Sequence, residues 1–290
     1  MAREINMKNF SLNNNTIIIG AGNLGQAVAI GRVDISVTIS NLRSKTDDIF
    51  IHDIDKRKRD NFKKYQNIKF IENLSDVLKN FKIVILAVKP KDYKVVCKNI
   101  KDYIKKDTII MSLIAGIKIN EIKKEFFDDV KIVRVMTNIN VQRAIGINFI
   151  YINNRINNSD RKKIDLFWNQ LGYTRHLKSE TNIDKFTALT GSGPAYFIYF
   201  CECLVKAFKK FGLTDQDANN YVSWLFNGTA SISKPRNRKF SQITKMVASK
   251  GGTTEEALKI LQTSNFEKTI EKAIRKAHLK SKNILNKKNG

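Results

Sequence analysis

The sequence is poor in the side chains that build disulfide frameworks and metal centres. It contains three cysteines and three histidines: Cys97, Cys201, Cys203, His52, His176 and His278. The cysteines have neither the spacing of a metal site nor the even number of a disulfide framework, and the histidines are widely scattered. We therefore expect no metal site, and the cysteine usage favours a reducing, intracellular setting.

Long apolar runs are also lacking. No stretch reaches the roughly 18 consecutive apolar residues that a membrane helix needs, and residues 1–15 lack the apolar core of a secretory signal. With 42% apolar residues, the chain still has the composition of a protein that buries cores. Disordered, collagen-like and disulfide-scaffold classes are thereby excluded, and we expect a soluble, cytoplasmic protein with no membrane partner.

Acidic residues are few. Asp and Glu number 27 against 52 Lys and Arg, which gives a net charge of +25. Such a charge creates a positive field and permits a nucleic-acid-binding function. The basic residues are spread along the whole chain, however, so most of the charge is interpreted as solvated surface. We expect no specific nucleic-acid partner, only weak and salt-sensitive association.

The N-terminal part alternates short β-branched runs with helix-like segments, a pattern typical of βαβ units around a parallel sheet. Strands are predicted at residues 16–19, 49–52, 68–71, 82–88, 108–114, 131–136 and 147–151, with helix-like segments at 74–80, 92–104, 120–127 and 160–171. From about residue 179, helical periodicity takes over, at residues 179–189, 194–211, 214–231, 254–262 and 265–285. The predicted fold is an α/β Rossmann-like doubly wound sheet, residues 1–178, followed by an all-α domain, residues 179–290.

The helix predicted from Pro194 is more apolar than a surface helix requires. Apolar side chains such as Phe197, Ile198, Phe200 and Leu204 lie on most of its sides, whereas a surface helix needs one apolar stripe. A partner subunit could cover the additional faces.

A glycine-rich turn directly follows the first predicted strand. Its residues are Gly20, Ala21, Gly22, Asn23, Leu24 and Gly25. In such a GxGxxG turn, the first glycine permits a tight turn, the second lets a pyrophosphate approach the backbone, and the third lets helix and strand pack closely. The helix N-terminus that follows offers N–H groups to the phosphates. With a strand before it and a helix after it, the motif predicts a dinucleotide site.

An acidic residue at the end of the second strand would complete this fingerprint by binding the ribose hydroxyls. The candidate is Asp53, which follows the glycines by more than the usual interval of about 20 residues, so the connection over residues 33–48 is long. Asp53 favours an unphosphorylated ribose, but the basic run at residues 56–59 could hold a 2′-phosphate or could be a solvated helix start. NADH and NADPH both remain open as cofactors.

Two further turns follow buried strands. Ala87, Val88, Lys89 and Pro90 end one strand, and Ala115 and Gly116 follow another. Because ligands of doubly wound sheets bind at the carboxyl ends of the strands, we expect both turns to face the nucleotide. Ordinary turn formation explains either turn equally well.

Two glycine-rich segments precede helices in the C-terminal part, at residues 190–196 and 249–254. Each would present backbone N–H groups and hydroxyls to a small carboxylate. Simple helix capping by Ser or Thr is the alternative, and two such loops in one helical domain favour the anion site.

These segments make the sequence recognisable, because it resembles the pyrroline-5-carboxylate reductase family over roughly residues 16–284. The most specific motifs are LTGSGPAY at residues 189–196 and GGTT at residues 251–254, supported by RVMTN at residues 134–138. The resemblance implies reduction of 1-pyrroline-5-carboxylate to L-proline by NAD(P)H, the last step of proline biosynthesis. It also implies a C-terminal domain that forms a homodimer, which can be part of a decamer of five dimers.

The resemblance also assigns residues. It places the substrate beside Ser249, Gly252, Thr253 and Thr254, with backbone N–H groups holding the carboxylate and the Thr254 hydroxyl meeting the imine nitrogen as the catalytic group. Glu180 corresponds to an acid near the substrate, and Asn73 to a residue near the adenosine. The sequence departs from the family pattern at Lys245 and Lys250, which puts the contacts of the loop in doubt.

Two other functions compete with this one. A related Rossmann hydroxy-acid dehydrogenase usually has a catalytic lysine on a helix, and the hydroxyl-rich loop at residues 251–254 argues against it. A nucleic-acid-binding protein would need clustered basic residues interleaved with aromatic ones.

Overall fold

The computed structural model describes residues 16–39, 48–75, 77–233 and 239–284. Its eight strands there are β1 (Thr16–Ile19), β2 (Ile49–His52), β3 (Ile68–Phe70), β4 (Ile83–Leu86), β5 (Ile109–Ser112), β6 (Lys131–Met136), β7 (Gly146–Ile152) and β8 (Gly172–His176). They form one sheet in the order β3-β2-β1-β4-β5-β6-β7-β8. All neighbours are parallel except β6 and β7. Strands β2 and β4 flank β1, which confirms the predicted doubly wound arrangement.

The helices connect these strands and then continue alone. They are α1 (Asn23–Ile39), α2 (Tyr93–Ile100), α3 (Ile119–Lys123), α4 (Asn158–Asn169), α5 (Thr181–Phe186), α6 (Gly193–Lys210), α7 (Asp215–Ile232), α8 (Phe240–Val247), α9 (Thr253–Thr263) and α10 (Phe266–Lys282). A π turn at Thr187–Gly191 joins α5 to α6, and 3-10 helices include Lys56–Phe62 and Ile139–Arg143. No described helix is both long and apolar enough to cross a membrane.

Both faces of the sheet are covered. In β1, Ile18 belongs to one buried cluster, whereas Ile17 and Ile19 belong to the other, because successive side chains of a strand point to opposite faces. The first cluster includes residues of α1 and α4, and the second includes residues of α2 and α3. Two-sided burial explains why the strands read as continuous apolar runs.

The chain forms two compact units. One unit comprises the described residues up to Gly191 together with those from His278, and the other comprises Ser192–Ala277. The second unit consists of α6 to α9 and most of α10, with exposed apolar residues that include Phe197 and Trp224. The predicted domain boundary after residue 178 lies upstream of this division and stays a prediction.

The structure differs from the predicted elements in a few places. Strand β8 and helix α8 were not predicted, because β8 is a mostly polar edge strand and α8 is short. Strand β8 pairs with β7 through the close approach of Gly172 and Gly146, whose Cα atoms are register partners. The helix predicted at residues 74–80 is only a 3-10 turn at Leu78–Asn80. Helix α1 takes up the start of the long connection to Asp53, and residues 1–15 and 40–47 lie outside the described residues.

Candidate functional site

The glycine turn has the geometry that its three glycines predict. Gly20 has a φ of +106° and donates its N–H to the carbonyl oxygen of His52 at 2.8 Å. A Cβ atom on Gly25 would overlap the carbonyl oxygen of Gly20, so only glycine lets α1 pack this close to the turn. No atom lies within 4 Å of a Cβ built on Gly22. The space over Gly22 is open, as the approach of a pyrophosphate requires.

Helix α1 presents unpaired donors beside this open space. Its first intrahelical hydrogen bond runs from the N–H of Gln26 to the carbonyl oxygen of Gly22. The N–H groups of Asn23, Leu24 and Gly25 therefore have no partner within the helix. The first turn contains no acidic residue, so its positive dipole end is free to bind phosphate.

Asp53 joins the end of β2 to the glycine turn. Its Oδ2 accepts from the N–H of Ala21 and from Nζ of Lys58, both at 2.7 Å, and its Oδ1 accepts from the N–H of Asp55 at 2.9 Å. Burial raises the pKa of Asp53, but the hydrogen bonds from Lys58, Asp55 and Ala21 outweigh it, so that the net pKa lies below 3.8. Asp53 is thus a fixed carboxylate at neutral pH.

These elements border a cavity of about 660 Å³, a size typical of a small-molecule site. Seven of the predicted cofactor-binding residues line it: Gly20, Gly22, Asp53, Asn73, Ala87, Val88 and Lys89. Of the other predicted residues, Ala21 holds Asp53 through its N–H, and Asn23, Leu24 and Gly25 form the first turn of α1. Pro90 opens the 3-10 helix Pro90–Asp92, in which Lys91 and Asp92 line the cavity.

The turn at Ala115 and Gly116 does not line this cavity. Gly116 has a φ of +73°, and a Cβ built on it would lie 2.8 Å from the Cβ of Ile284. Ile284, which follows α10, therefore packs against this turn, and the positive φ together with this contact favours glycine there. Its role in cofactor binding stays a prediction.

Sequence reasoning missed several residues that line the cavity: His52, Ile54, Asp55, Leu74, Ser75, Val96, Asn99 and Tyr103. Those that follow β2 and β3 could have been found from the rule that carboxyl ends of strands border the crevice. The residues on α2 and the turn after it reach the cavity through the packing of that helix, which no local pattern predicts.

Glu180, the predicted substrate-region acid, lies in a buried network within the first unit. Its Oε1 accepts from the N–H of Ile119 at 2.7 Å and from Nη1 of Arg134 at 3.3 Å. Arg134 is 1% exposed, and its Nη2 donates to Oδ1 of Asp184 at 2.7 Å. Arg134, which is part of the RVMTN motif, thus ties α5 to β6.

The GGTT segment forms the start of α9 in the second unit. Gly251 has a φ of +74°, a conformation that favours glycine, and Gly252 is the N-cap with no side chain to cap the helix. The N–H of Gly252 donates to the carbonyl oxygen of Ser249 at 3.0 Å. The N–H groups of Thr253 and Thr254 lie in the first turn and lack intrahelical acceptors. Helix capping by Ser or Thr was the alternative to an anion site at this loop, and no side chain caps the start of α9.

Comparison with known proteins decides the family. Residues 180–284 match the family model for pyrroline-5-carboxylate reductase dimerisation, and residues 15–142 match the N-terminal model of NAD-dependent glycerol-3-phosphate dehydrogenase. The pyrroline-5-carboxylate reductase of Aquifex aeolicus is 32% identical over 267 residues, which cover 92% of this chain and 96% of that protein. The chain belongs to the pyrroline-5-carboxylate reductase family.

Solved pyrroline-5-carboxylate reductases share the fold over nearly the whole chain. The Plasmodium falciparum enzyme, determined with NADP bound, is 26% identical with a TM-score of 0.79 and covers 94% of this chain and 98% of its own. The Coxiella burnetii reductase is 27% identical with a TM-score of 0.78 and covers 93% and 97%. Family membership thus confirms the resemblance stated from the motifs, while the individual substrate contacts of this chain stay predictions.

Proposed function

We propose that this chain is a pyrroline-5-carboxylate reductase that transfers a hydride from NADPH or NADH to the C=N bond of 1-pyrroline-5-carboxylate and gives L-proline. The observation that carries the proposal is the occurrence of two features in one chain. One is the nucleotide cavity at the carboxyl ends of β1, β2 and β4, and the other is the GGTT start of α9, whose N-cap residue Gly252 has no capping side chain. The relatives that match over the whole chain bear the same enzyme name.

The nucleotide site fits its cofactor on three structural grounds. The open space over Gly22 can admit a pyrophosphate, the first turn of α1 offers it donors, and Asp53, at the end of β2 beside the glycine turn, is proposed to bind the ribose hydroxyls. When bound, the dihydronicotinamide supplies the hydride.

The substrate carboxylate is proposed to bind at the start of α9. The N–H groups of Thr253 and Thr254 offer a small carboxylate fixed donors at the positive end of an 11-residue helix. Gly252 has no side chain that would take these donors first, and Ser249 lies beside it. Holding the carboxylate orients the ring, which lowers the entropic part of the barrier.

Thr254 is the proposed catalytic residue. As a hydride reaches the imine carbon, the π electron pair of the C=N bond moves to nitrogen, which must be protonated or hydrogen-bonded. The Thr254 hydroxyl, in the first turn of α9, donates to that nitrogen in this proposal. Glu180 is proposed to border the substrate region from its fixed position on Arg134 and the Ile119 N–H.

The match to a dimerisation model supports a homo-oligomer. We propose a homodimer formed through the exposed apolar residues of the helical unit, including Phe197 at 65% and Trp224 at 79% exposure. Five such dimers would form a decamer. A cytoplasmic location is proposed on the cysteine usage, since the three cysteines are free thiols.

The alternatives are less well supported. A hydroxy-acid dehydrogenase does not account for the match at residues 180–284. For nucleic acid, the dispersed charge supports only weak, salt-sensitive association.

The test is turnover by the purified protein and its Thr254→Ala variant. We expect oxidation of NADH or NADPH with 1-pyrroline-5-carboxylate, formation of proline, and a loss of roughly 10²- to 10³-fold in kcat in the variant. Thr254→Ser keeps the hydroxyl and should retain most of the activity. Thr263→Ala, in the last turn of the same helix, is the matched control, since its hydroxyl only bonds the Lys259 carbonyl oxygen and the Ile260 carbonyl oxygen. A folded, nucleotide-binding protein that forms no proline would contradict the proposal.

A further inference from the structure

We infer that the adenosine end of this site selects NADH over NADPH, and that Asp53 is the residue that decides. The inference rests on the proposed nucleotide site and concerns only which of the two nucleotides it accepts. It follows from how Asp53 is held and from how the surrounding bases are already paired.

Asp53 cannot turn away from the cavity. Two of its three hydrogen-bond donors are backbone N–H groups, those of Ala21 and Asp55, and its side chain is only 9% exposed. A carboxylate has about four acceptor positions. The three bonds leave roughly one position for a further donor, such as a ribose hydroxyl.

A 2′-phosphate carries a charge of about −1.5 to −2 at pH 7. Placed where the ribose hydroxyls meet Asp53, it would face a carboxylate that stays ionised and cannot move. Like charges at such close range are strongly unfavourable. The free hydroxyl of NADH instead donates to the same oxygen.

The basic run that could neutralise a phosphate is already paired. Each of its four members has a carboxylate partner: Lys56 with Glu72 at 3.3 Å, Arg57 with Asp55 at 2.8 Å, Lys58 with Asp53 at 2.7 Å and Arg59 with Glu72 at 2.8 Å. The four bases and their three acidic partners, Glu72, Asp55 and Asp53, leave a net charge of +1, so the run offers a phosphate little uncompensated positive charge.

Two other lysines line the cavity, but at a different strand. Lys89 and Lys91 follow β4, which lies on the side of β1 opposite to β2. Strands two positions apart in a sheet are separated by about 10 Å. These lysines therefore belong to the part of the cavity away from Asp53.

The experiment compares two fragments that differ only in the 2′-phosphate, ADP-ribose and 2′-phospho-ADP-ribose, by calorimetric titration of the full chain. We expect the wild type to bind ADP-ribose roughly tenfold or more tightly, which corresponds to about 1.4 kcal/mol. Asp53→Asn keeps the shape and removes the charge, and it should lower this ratio by roughly tenfold. Asp60→Asn removes the same charge from the 3-10 helix Lys56–Phe62, which follows Asp53, at a residue paired with Lys63, so its ratio should match the wild type.

Equal affinity of the wild type for both fragments, or preference for the phosphorylated one, would overturn the inference while leaving the reductase proposal intact. An unchanged ratio in folded Asp53→Asn would also overturn it. Failure of both fragments, and of NADH and NADPH, to bind would contradict the nucleotide site itself. The ratio of the two affinities in the wild type tests the inference by itself, so the test does not depend on whether a variant folds.

Discussion

Removing Asp184 should destabilise the first unit more than any surface substitution. Arg134 is almost fully buried, and Asp184 accepts its best hydrogen bond, at 2.7 Å. The Nε of Arg134 already lacks a hydrogen-bond partner, so Asp184→Ala would leave Nη2 without its acceptor as well. Breaking a buried ion pair by removing one partner costs about 3–5 kcal/mol. Because Glu180 remains near Nη1, we expect the lower end, about 3 kcal/mol.

Urea unfolding followed by tryptophan fluorescence measures this loss. The chain has two tryptophans, the fully buried Trp168 of the first unit and the exposed Trp224 of the second. In a Trp224→Phe background, the signal reports on Trp168 and hence on the unit that contains Asp184. All variants are compared at one protomer concentration, because oligomer stability depends on it.

Two comparisons separate the ion pair from a general packing effect. Glu121→Gln removes an exposed pair with Lys124 and should change stability by less than about 0.5 kcal/mol. Adding Arg134→Met to Asp184→Ala removes the buried guanidinium group that has lost its closest acceptor, so the losses of the two single variants should not add. A loss below about 1 kcal/mol in Asp184→Ala, or strict additivity in the double variant, would refute the reasoning.

Further predictions concern the glycine turn and a buried thiol. Gly22→Ala should fold normally, since its Cβ meets nothing within 4 Å, yet weaken NADH binding by roughly tenfold or more. Gly25→Ala, by contrast, should lower the stability of the fold in addition to weakening NADH binding, because its Cβ atom would overlap the carbonyl oxygen of Gly20. A Gly25→Ala protein as stable as the wild type would contradict this prediction. Burial raises the pKa of Cys97 from 9.0 to about 12, so the folded state keeps the thiol proton at a pH where the unfolded state loses it. This stabilisation is complete below pH 9, and above pH 9 it falls by up to about 1.4 kcal/mol per pH unit. Raising the pH from about 8 to about 10 should therefore lower the urea midpoint less in Cys97→Ser than in the wild type. An equal fall in both proteins would exclude this effect.

Much of the fold could be predicted because the strands have a strong local signal. Strands β1, β2 and β6 begin and end at the predicted residues, since strands buried on both faces read as apolar runs between polar turns. Edge strand β8 lacks that signal: its side chains alternate between partly buried and exposed, and it is held by pairing with β7.

The candidate site could be predicted in part for the same reason. Gly20, Gly22 and Gly25 act through local backbone geometry, so their spacing alone indicated their roles, and the GGTT motif likewise lies at a helix start. The partners of Glu180 come from β6 and from the start of α3, and no sequence pattern indicates that these segments meet there.

By itself, the sequence determined the doubly wound fold, the glycine turn and the family, because each depends on short-range patterns of side chains or on motifs in order. Only the tertiary structure decided which charges meet. It placed Lys58 on Asp53, Arg59 on Glu72 and Arg134 on Asp184, and it brought Ser281 and Ile284, at the end of α10, against Gly116. Except for Lys58 and Asp53, which are five residues apart, these contacts join residues more distant in sequence, and their geometry follows from how strands and helices pack, which neighbouring residues along the chain do not encode.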